Sequence, residues 1–113
     1  MDGDDRQFLL TVAWLFARHG QNARARVICE ALVEDDPRDG VSAAALAEQM
    51  LADREPEAAL SVVRGARFPR ELERAEALLE TRALHELGKR REAEKRWARY
   101  VAASKGKARS WVG

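Results

Sequence analysis

The chain has little cysteine and little proline, with one cysteine and three prolines among 113 residues. A single cysteine excludes an intramolecular disulfide, which agrees with a reducing compartment. The first residues are acidic, and no apolar run reaches the length of a signal peptide or a membrane span. We therefore expect a cytoplasmic protein without direct membrane insertion.

Groups that carry catalysis are also scarce. The two histidines, His19 and His85, are far apart, and no phosphate loop, Cys/His metal motif or recognisable Ser/His/Asp set is present. Cys29 lies in an apolar helical pattern, where a thiol is buried and inert. The sequence predicts that the protein is not an enzyme and binds neither a cofactor nor a metal ion.

Neither sign of charge dominates, since the formal net charge is +1. The signs are separated along the chain, because residues 1–60 carry 6 basic and 12 acidic side chains and residues 61–113 carry 14 and 7. The separation suits head-to-tail contact or a charge-patterned partner, although solvated helix faces of a repeat protein are the more ordinary explanation. Glu92 and Glu94 interrupt the basic series of the second half, so we expect no nucleic-acid binding. That series is Lys89, Arg90, Arg91, Lys95, Arg96 and Arg99.

What the sequence does contain is a repeat with a period of 34 residues. Its clearest copy runs from Gln7 to Pro37, with apolar residues at helical spacing on both sides of a turn at Gly20. Gly88 follows Gly20 by 68 residues, which is two periods. A small residue of the second helix recurs as Ala25, Ala59 and Ala93. Small residues at that position let the two helices of a repeat approach closely.

This periodicity predicts an all-α fold, a tetratricopeptide-like α-solenoid of about three helix-turn-helix repeats with six helices. The first five predicted helices run from Asp4 or Asp5 to about Arg18, Asn22 to Asp36, Gly40 to Ala52, Pro56 to about Gly65, and Arg70 to Leu87. The sixth follows the turn at Gly88 and ends at Lys105-Gly106. We expect residues 1–104 to form one domain and residues 105–113, with Trp111, to form a flexible tail.

The third repeat departs from the pattern in two ways. Gly65 and Pro69 close the fourth helix about two residues earlier than the repeat requires. We therefore expect a shortened connection that displaces the third repeat. Glu80 and Thr81 also stand where the pattern has a large and a small apolar residue.

The first helix is apolar on two adjacent sides, so it must be buried twice or bind something. In stacked repeats the first helices line a concave side. An apolar groove there fits an amphipathic helix. The alternative is that Leu10 and Trp14 cap the core. The residues predicted to line the groove are Leu10, Trp14, Ala17, Ala44, Leu51, Leu78, Arg82 and His85.

A resemblance to a known family rests on markers in the first and last repeats. They are Gln7-Phe8-Leu9-Leu10, Trp14-Leu15, Gly20, Ala25, Ala31-Leu32, Pro37, Leu87-Gly88, Ala93, Trp97 and Tyr100. With these residues the chain resembles the small tetratricopeptide chaperones of bacterial type III secretion, most closely the YscY (SctY) type. The likeness covers residues 7–37 and 78–103.

The resemblance implies a cytoplasmic chaperone that holds a small secreted partner of the YscX (SctX) type through a helix. It also implies contact with the export-gate protein during delivery. Two alternatives stay open. One is the needle-subunit chaperone of the same system, because this chain resembles it in the run Phe68-Pro69 followed by Leu72-Glu73. The other is a self-associating tetratricopeptide adaptor that dimerises through the Trp14 face.

The repeat position of Ala59 gives a direct test of the fold. Replacing Ala59 by Phe should overpack the contact between the two helices of the second repeat, at a cost of about 1–3 kcal/mol. Chemical denaturation of Ala59→Phe beside the wild type measures this cost. Wild-type stability in the variant would show that the 34-residue period has been misplaced.

Overall fold

A computed structural model describes the backbone of residues 1–112 and the side chains of residues 1–106. Within that part, the chain forms six α-helices and a short 3-10 helix, with no β-strand. The predicted all-α fold with six helices is confirmed. The helices are α1 Gly3–Arg18, α2 Asn22–Asp35, α3 Gly40–Ala52, α4 Pro56–Gly65, the 3-10 helix Arg70–Leu72, α5 Glu73–Glu86 and α6 Arg90–Val112.

Consecutive helices form three helix-turn-helix pairs that stack in chain order. Within the stack, α2 packs on α3, α4 packs on α5, and α3 contacts α5. The predicted close contacts within the pairs are confirmed, because each of the three alanines exposes only 1% of its surface. They are Ala25, Ala59 and Ala93. Apolar side chains between successive pairs form the core.

The three turns within the pairs share one backbone geometry. The residue at the turn is left-handed each time, with φ of +77° at Gly20, +60° at Arg54 and +77° at Gly88. The next N–H then donates to a carbonyl five residues earlier, which is the hydrogen bond of a Schellman motif. These bonds are Gln21 to Phe16 (2.8 Å), Glu55 to Met50 (2.8 Å) and Lys89 to Leu84 (2.9 Å). Each pair therefore closes at the same point of the repeat.

The connection into the third pair corrects one prediction. It is not shortened, because residues 66–69 and the 3-10 helix Arg70–Leu72 fill the interval after α4. Its backbone runs against the start of α3, where the Arg67 N–H donates to the Arg38 carbonyl at 2.9 Å. A Cβ on Gly40 would lie 2.6 Å from the Arg67 carbonyl oxygen, so only glycine fits there. The third repeat consequently keeps the period.

Two polar residues occupy interior positions of α5. Glu80 is buried, accepts a hydrogen bond from Nε of Arg96 at 3.2 Å and lies 3.6 Å from Nε of Arg64. Thr81 Oγ1 is also buried, and it has no hydrogen-bond partner in the described part of the chain. Arginines from α4 and α6 thus compensate the buried charge of Glu80, whereas the unpaired hydroxyl of Thr81 carries a desolvation cost.

Arg6 of α1 joins the first pair to the second. Its guanidinium donates to Asp35 at 2.8 Å, to Asp39 at 2.8 Å and to the Ser42 hydroxyl at 3.0 Å. Asp39 also caps α3 by accepting the Val41 N–H at 3.1 Å. Burial by itself would raise the pKa of Asp39, but hydrogen bonds from Ser42 and Arg6 lower it below the ordinary value of 3.8. This network therefore favours the ionised carboxylate.

The C-terminal helix corrects a second prediction. α6 does not end at Lys105-Gly106 but continues to Val112. Gly106 is not among the residues with a positive φ, so it continues the helix and does not cap it. The flexible tail predicted over residues 105–113 lies mostly outside the described side chains, as does Trp111, and it stays a prediction.

The shared turn geometry predicts opposite effects at two equivalent positions. Arg54→Gly should stabilise the fold by about 0.5–1 kcal/mol, because glycine adopts a left-handed backbone without a steric penalty. Gly88→Ala should cost about 1 kcal/mol, although no atom lies within 4 Å of the added Cβ. Thermal melts measure both changes.

Gly65→Ala is the control, because Gly65 lies at the end of α4 with open space around its Cβ and no positive φ. That substitution should be neutral or mildly stabilising. A lower melting temperature for Arg54→Gly would contradict the common turn geometry.

The Arg6 network predicts acid sensitivity. Asp39→Asn should cost about 2 kcal/mol at pH 7, because it removes the more buried of the two carboxylates that lie 2.8 Å from the Arg6 guanidinium. A carboxylate with a lowered pKa stabilises the fold above its unfolded pKa, and that contribution is lost as the pH falls through the folded pKa. Urea unfolding at pH 7 and pH 3 should show the wild type and the variant converging in acid. A constant gap, or an equal effect of Glu34→Gln at an exposed position, would contradict this role.

Candidate partner-binding surface

Equivalent residues of α1, α3 and α5 form rows across the first helices of the pairs. One row is Leu10, Ala44 and Leu78, and the next is Trp14, Glu48 and Arg82, with members 34 residues apart. The second row is physically continuous between two helices, since Nη1 of Arg82 lies 3.2 Å from a Glu48 carboxylate oxygen. We call these six residues and the neighbouring Val41 the first-helix surface.

A groove of about 300 Å³ lies between α3 and α5. Small side chains line much of it, because α3 contributes two alanines and α5 a third. Leu78 forms an apolar wall, and the Glu48 and Arg82 ion pair borders one end. The groove admits protruding side chains of a docked helix but is shallow for a whole cofactor. It is lined by Ala44, Ala45, Glu48, Ala75, Leu78, Leu79 and Arg82.

On α1 the same surface carries an uncovered aromatic residue. Trp14 exposes 57% of its surface, and the Arg18 guanidinium lies 5.1 Å from the centre of its ring. Leu10 beside it is half-buried. The alternative that Trp14 caps the core is therefore wrong. An indole held by one cation and open to solvent is suited to anchoring a partner.

The structure gathers only some of the eight predicted groove residues. Ala44, Leu78 and Arg82 line the groove between α3 and α5, and Leu10 and Trp14 continue the surface on α1. Ala17 is half-buried against the core between the first two pairs. His85 is exposed on α5 outside the residues that line the groove.

Leu51 is the clear error among the predicted groove residues. It is 4% exposed and belongs to the core with Leu79 and Ala83, because α5 packs over this part of α3. The prediction placed Leu51 in the groove because Ala17 holds the equivalent position on α1. The helices that surround this position differ between the repeats. Sequence reasoning also missed Val41, which is 45% exposed and occupies the repeat position of Gln7. The sequence signal for it was that Val41 is apolar where its equivalent, Gln7, is polar.

Other chemistry is thinly represented. Burial raises the pKa of the Cys29 thiol, which keeps it protonated and unreactive. Among the described residues, no three ligating side chains converge as a metal site would require. Arg96 of the basic series is mostly buried and pairs with Glu80 at 3.2 Å, so it is not one of the exposed cations of α6. The first-helix surface thus remains the best candidate for function.

In comparisons with known proteins, no family model and no curated protein matches the chain. No helix of the described residues combines the length and apolar character needed to cross a membrane.

Proposed function

We propose that this protein is a cytoplasmic type III secretion chaperone that binds a small secreted partner of the YscX (SctX) type and helps deliver it to the export gate. The observation that carries the proposal is the exposure of Trp14, Val41 and Leu78 on neighbouring helices of one surface. Large apolar side chains that are exposed together on one surface are typical of partner-binding sites. The resemblance of residues 7–37 and 78–103 supports the choice of family.

The shape and chemistry of the first-helix surface favour an amphipathic helix as the ligand. The alanines leave room between α3 and α5 for larger side chains of the ligand, and Trp14 offers a flat apolar contact. Arg18 on α1 and the Glu48 and Arg82 pair provide charges at the edge. Apolar residues at helical spacing on the partner would fill the centre while its polar side stays in water.

The needle-subunit chaperone of the same system is the nearest competing proposal, because it would also hold a helix in an apolar groove. Co-expression of the chain with an SctX-type protein and, separately, with a needle subunit distinguishes the two. We expect the SctX-type protein to co-purify with the chain.

Trp14→Ala tests the surface directly. Binding of the SctX-type protein should weaken by about 2 kcal/mol or more, roughly 30-fold, because a large aromatic anchor is removed. The fold should lose less than about 1 kcal/mol, since more than half of the indole is already in water. Titration calorimetry and a thermal melt give the two values.

Phe8→Ala is the matched control, because Phe8 is an aromatic residue exposed on another side of the same helix. It should retain client binding. If Trp14→Ala binds the SctX-type protein as tightly as the wild type does, the first-helix surface is not the binding site.

A further inference from the structure

A second uncovered apolar face lies on α1, away from Trp14. Phe8, Val12 and Leu15 follow one another at spacings of four and three residues, so they form one stripe along the helix. Phe8 is 67% exposed, Leu15 is exposed and Val12 is half-buried. This stripe is not part of the first-helix surface.

The repeat shows what covers this stripe elsewhere in the stack. Its equivalents are Ser42, Leu46 and Gln49 on α3 and Glu76, Glu80 and Ala83 on α5, of which Gln49 and Glu76 are half-buried and the other four are buried. Leu46 shares a core cluster with Ala25 and Cys29 of α2, and Ala83 shares one with Leu60 and Val63 of α4, where α2 packs on α3 and α4 packs on α5. The stripe on α1 is therefore the face that the second helix of a preceding pair would cover.

The other end of the stack presents the complementary surface. Trp97, Tyr100 and Val101 of α6 are half-buried and, with Arg74 of α5, line a shallow groove of about 290 Å³. Their equivalents on α2 are Cys29, Leu32 and Val33, of which the first two are buried. Because α3 packs on α2, the groove on α6 is the face that a following first helix would cover.

We propose that copies of this chain associate head to tail, with α6 of one copy packing on α1 of the next as α2 packs on α3. The occupant of each exposed end is thus a second copy. This inference does not rest on the proposed function, because neither end belongs to the first-helix surface.

The charges at the two ends support a second copy as the occupant. Within the chain, Arg6 pairs with Asp39 across the first two repeats at 2.8 Å. Arg74 is the equivalent of Arg6, and Asp5 is the equivalent of Asp39, so the same pair would form between Arg74 of one copy and Asp5 of the next. Among the described residues Arg74 takes part in no ion pair, and Asp5 is exposed.

The wider charge distribution acts in the same direction. Residues 1–60 carry 6 basic and 12 acidic side chains, a net charge of −6, and residues 61–113 carry 14 and 7, a net charge of +7. A head-to-tail contact brings the acidic half of one copy to the basic half of another, whereas a two-fold contact between equal ends brings like charges together. The association should therefore weaken as salt is added.

Complementary variants provide the sharpest test. Phe8→Arg blocks the acidic end, which we call the head, and Val101→Glu blocks the basic end, the tail. In sedimentation velocity at low salt, each variant alone should associate at least about ten-fold more weakly than the wild type. An equimolar mixture should form dimers that grow no further, because one intact head meets one intact tail.

Val27→Arg is the matched control, because Val27 is also 67% exposed but lies on the second helix of the first pair, outside both ends. It should associate as the wild type does. If either end variant fails to fold, charge exchange replaces it: Asp5→Arg and Arg74→Asp should each weaken association, and the double variant should restore it.

Three results would overturn the proposal. The first is a wild-type protein that stays monomeric at low salt and high concentration. The second is self-association that Val101→Glu retains in full, since a two-fold contact through α1 would then explain it. The third is loss of association in Trp14→Ala with association intact in Phe8→Arg, which would place the contact on the first-helix surface.

Discussion

The left-handed turn within each helix pair is the constraint on which the rest of the fold depends. Gly20, Arg54 and Gly88 hold the same backbone geometry at intervals of 34 residues, and the same hydrogen bond follows each of them. This fixes where the second helix of every pair begins and therefore which residues face its partner. The rows of the first-helix surface and the equivalence between the two ends of the stack both follow from that spacing.

Much of the fold could be predicted from the sequence because the strongest signals are local. Helical spacing, turn glycines and the recurring alanines specify six helices without knowledge of tertiary contacts. The third repeat kept its place despite Glu80, because arginines from α4 and α6 pair with this carboxylate inside the stack. A degenerate repeat can therefore retain its geometry when other side chains compensate a polar substitution.

The errors arose where a residue's environment depends on something distant in the chain. Leu51 shares a repeat position with the half-buried Ala17, but the third pair covers it, and no local pattern reveals that. The connection after α4 lies against the start of α3, with its backbone in contact with Gly40. Arg54 was not recognised as a turn residue, because a positive φ is unusual for arginine.

The central claim is that the first helices hold a helical partner on one surface, and hydrogen exchange of the complex tests it most directly. With an SctX-type protein bound, we expect slower amide exchange around Trp14 in α1 and around Leu78 in α5. Exchange in α6 should be the same in the complex and in the free protein when both are measured at equal concentration of this chain. New protection confined to α2, α4 and α6, with α1 exchanging as in the free protein, would contradict a partner site on the first-helix surface.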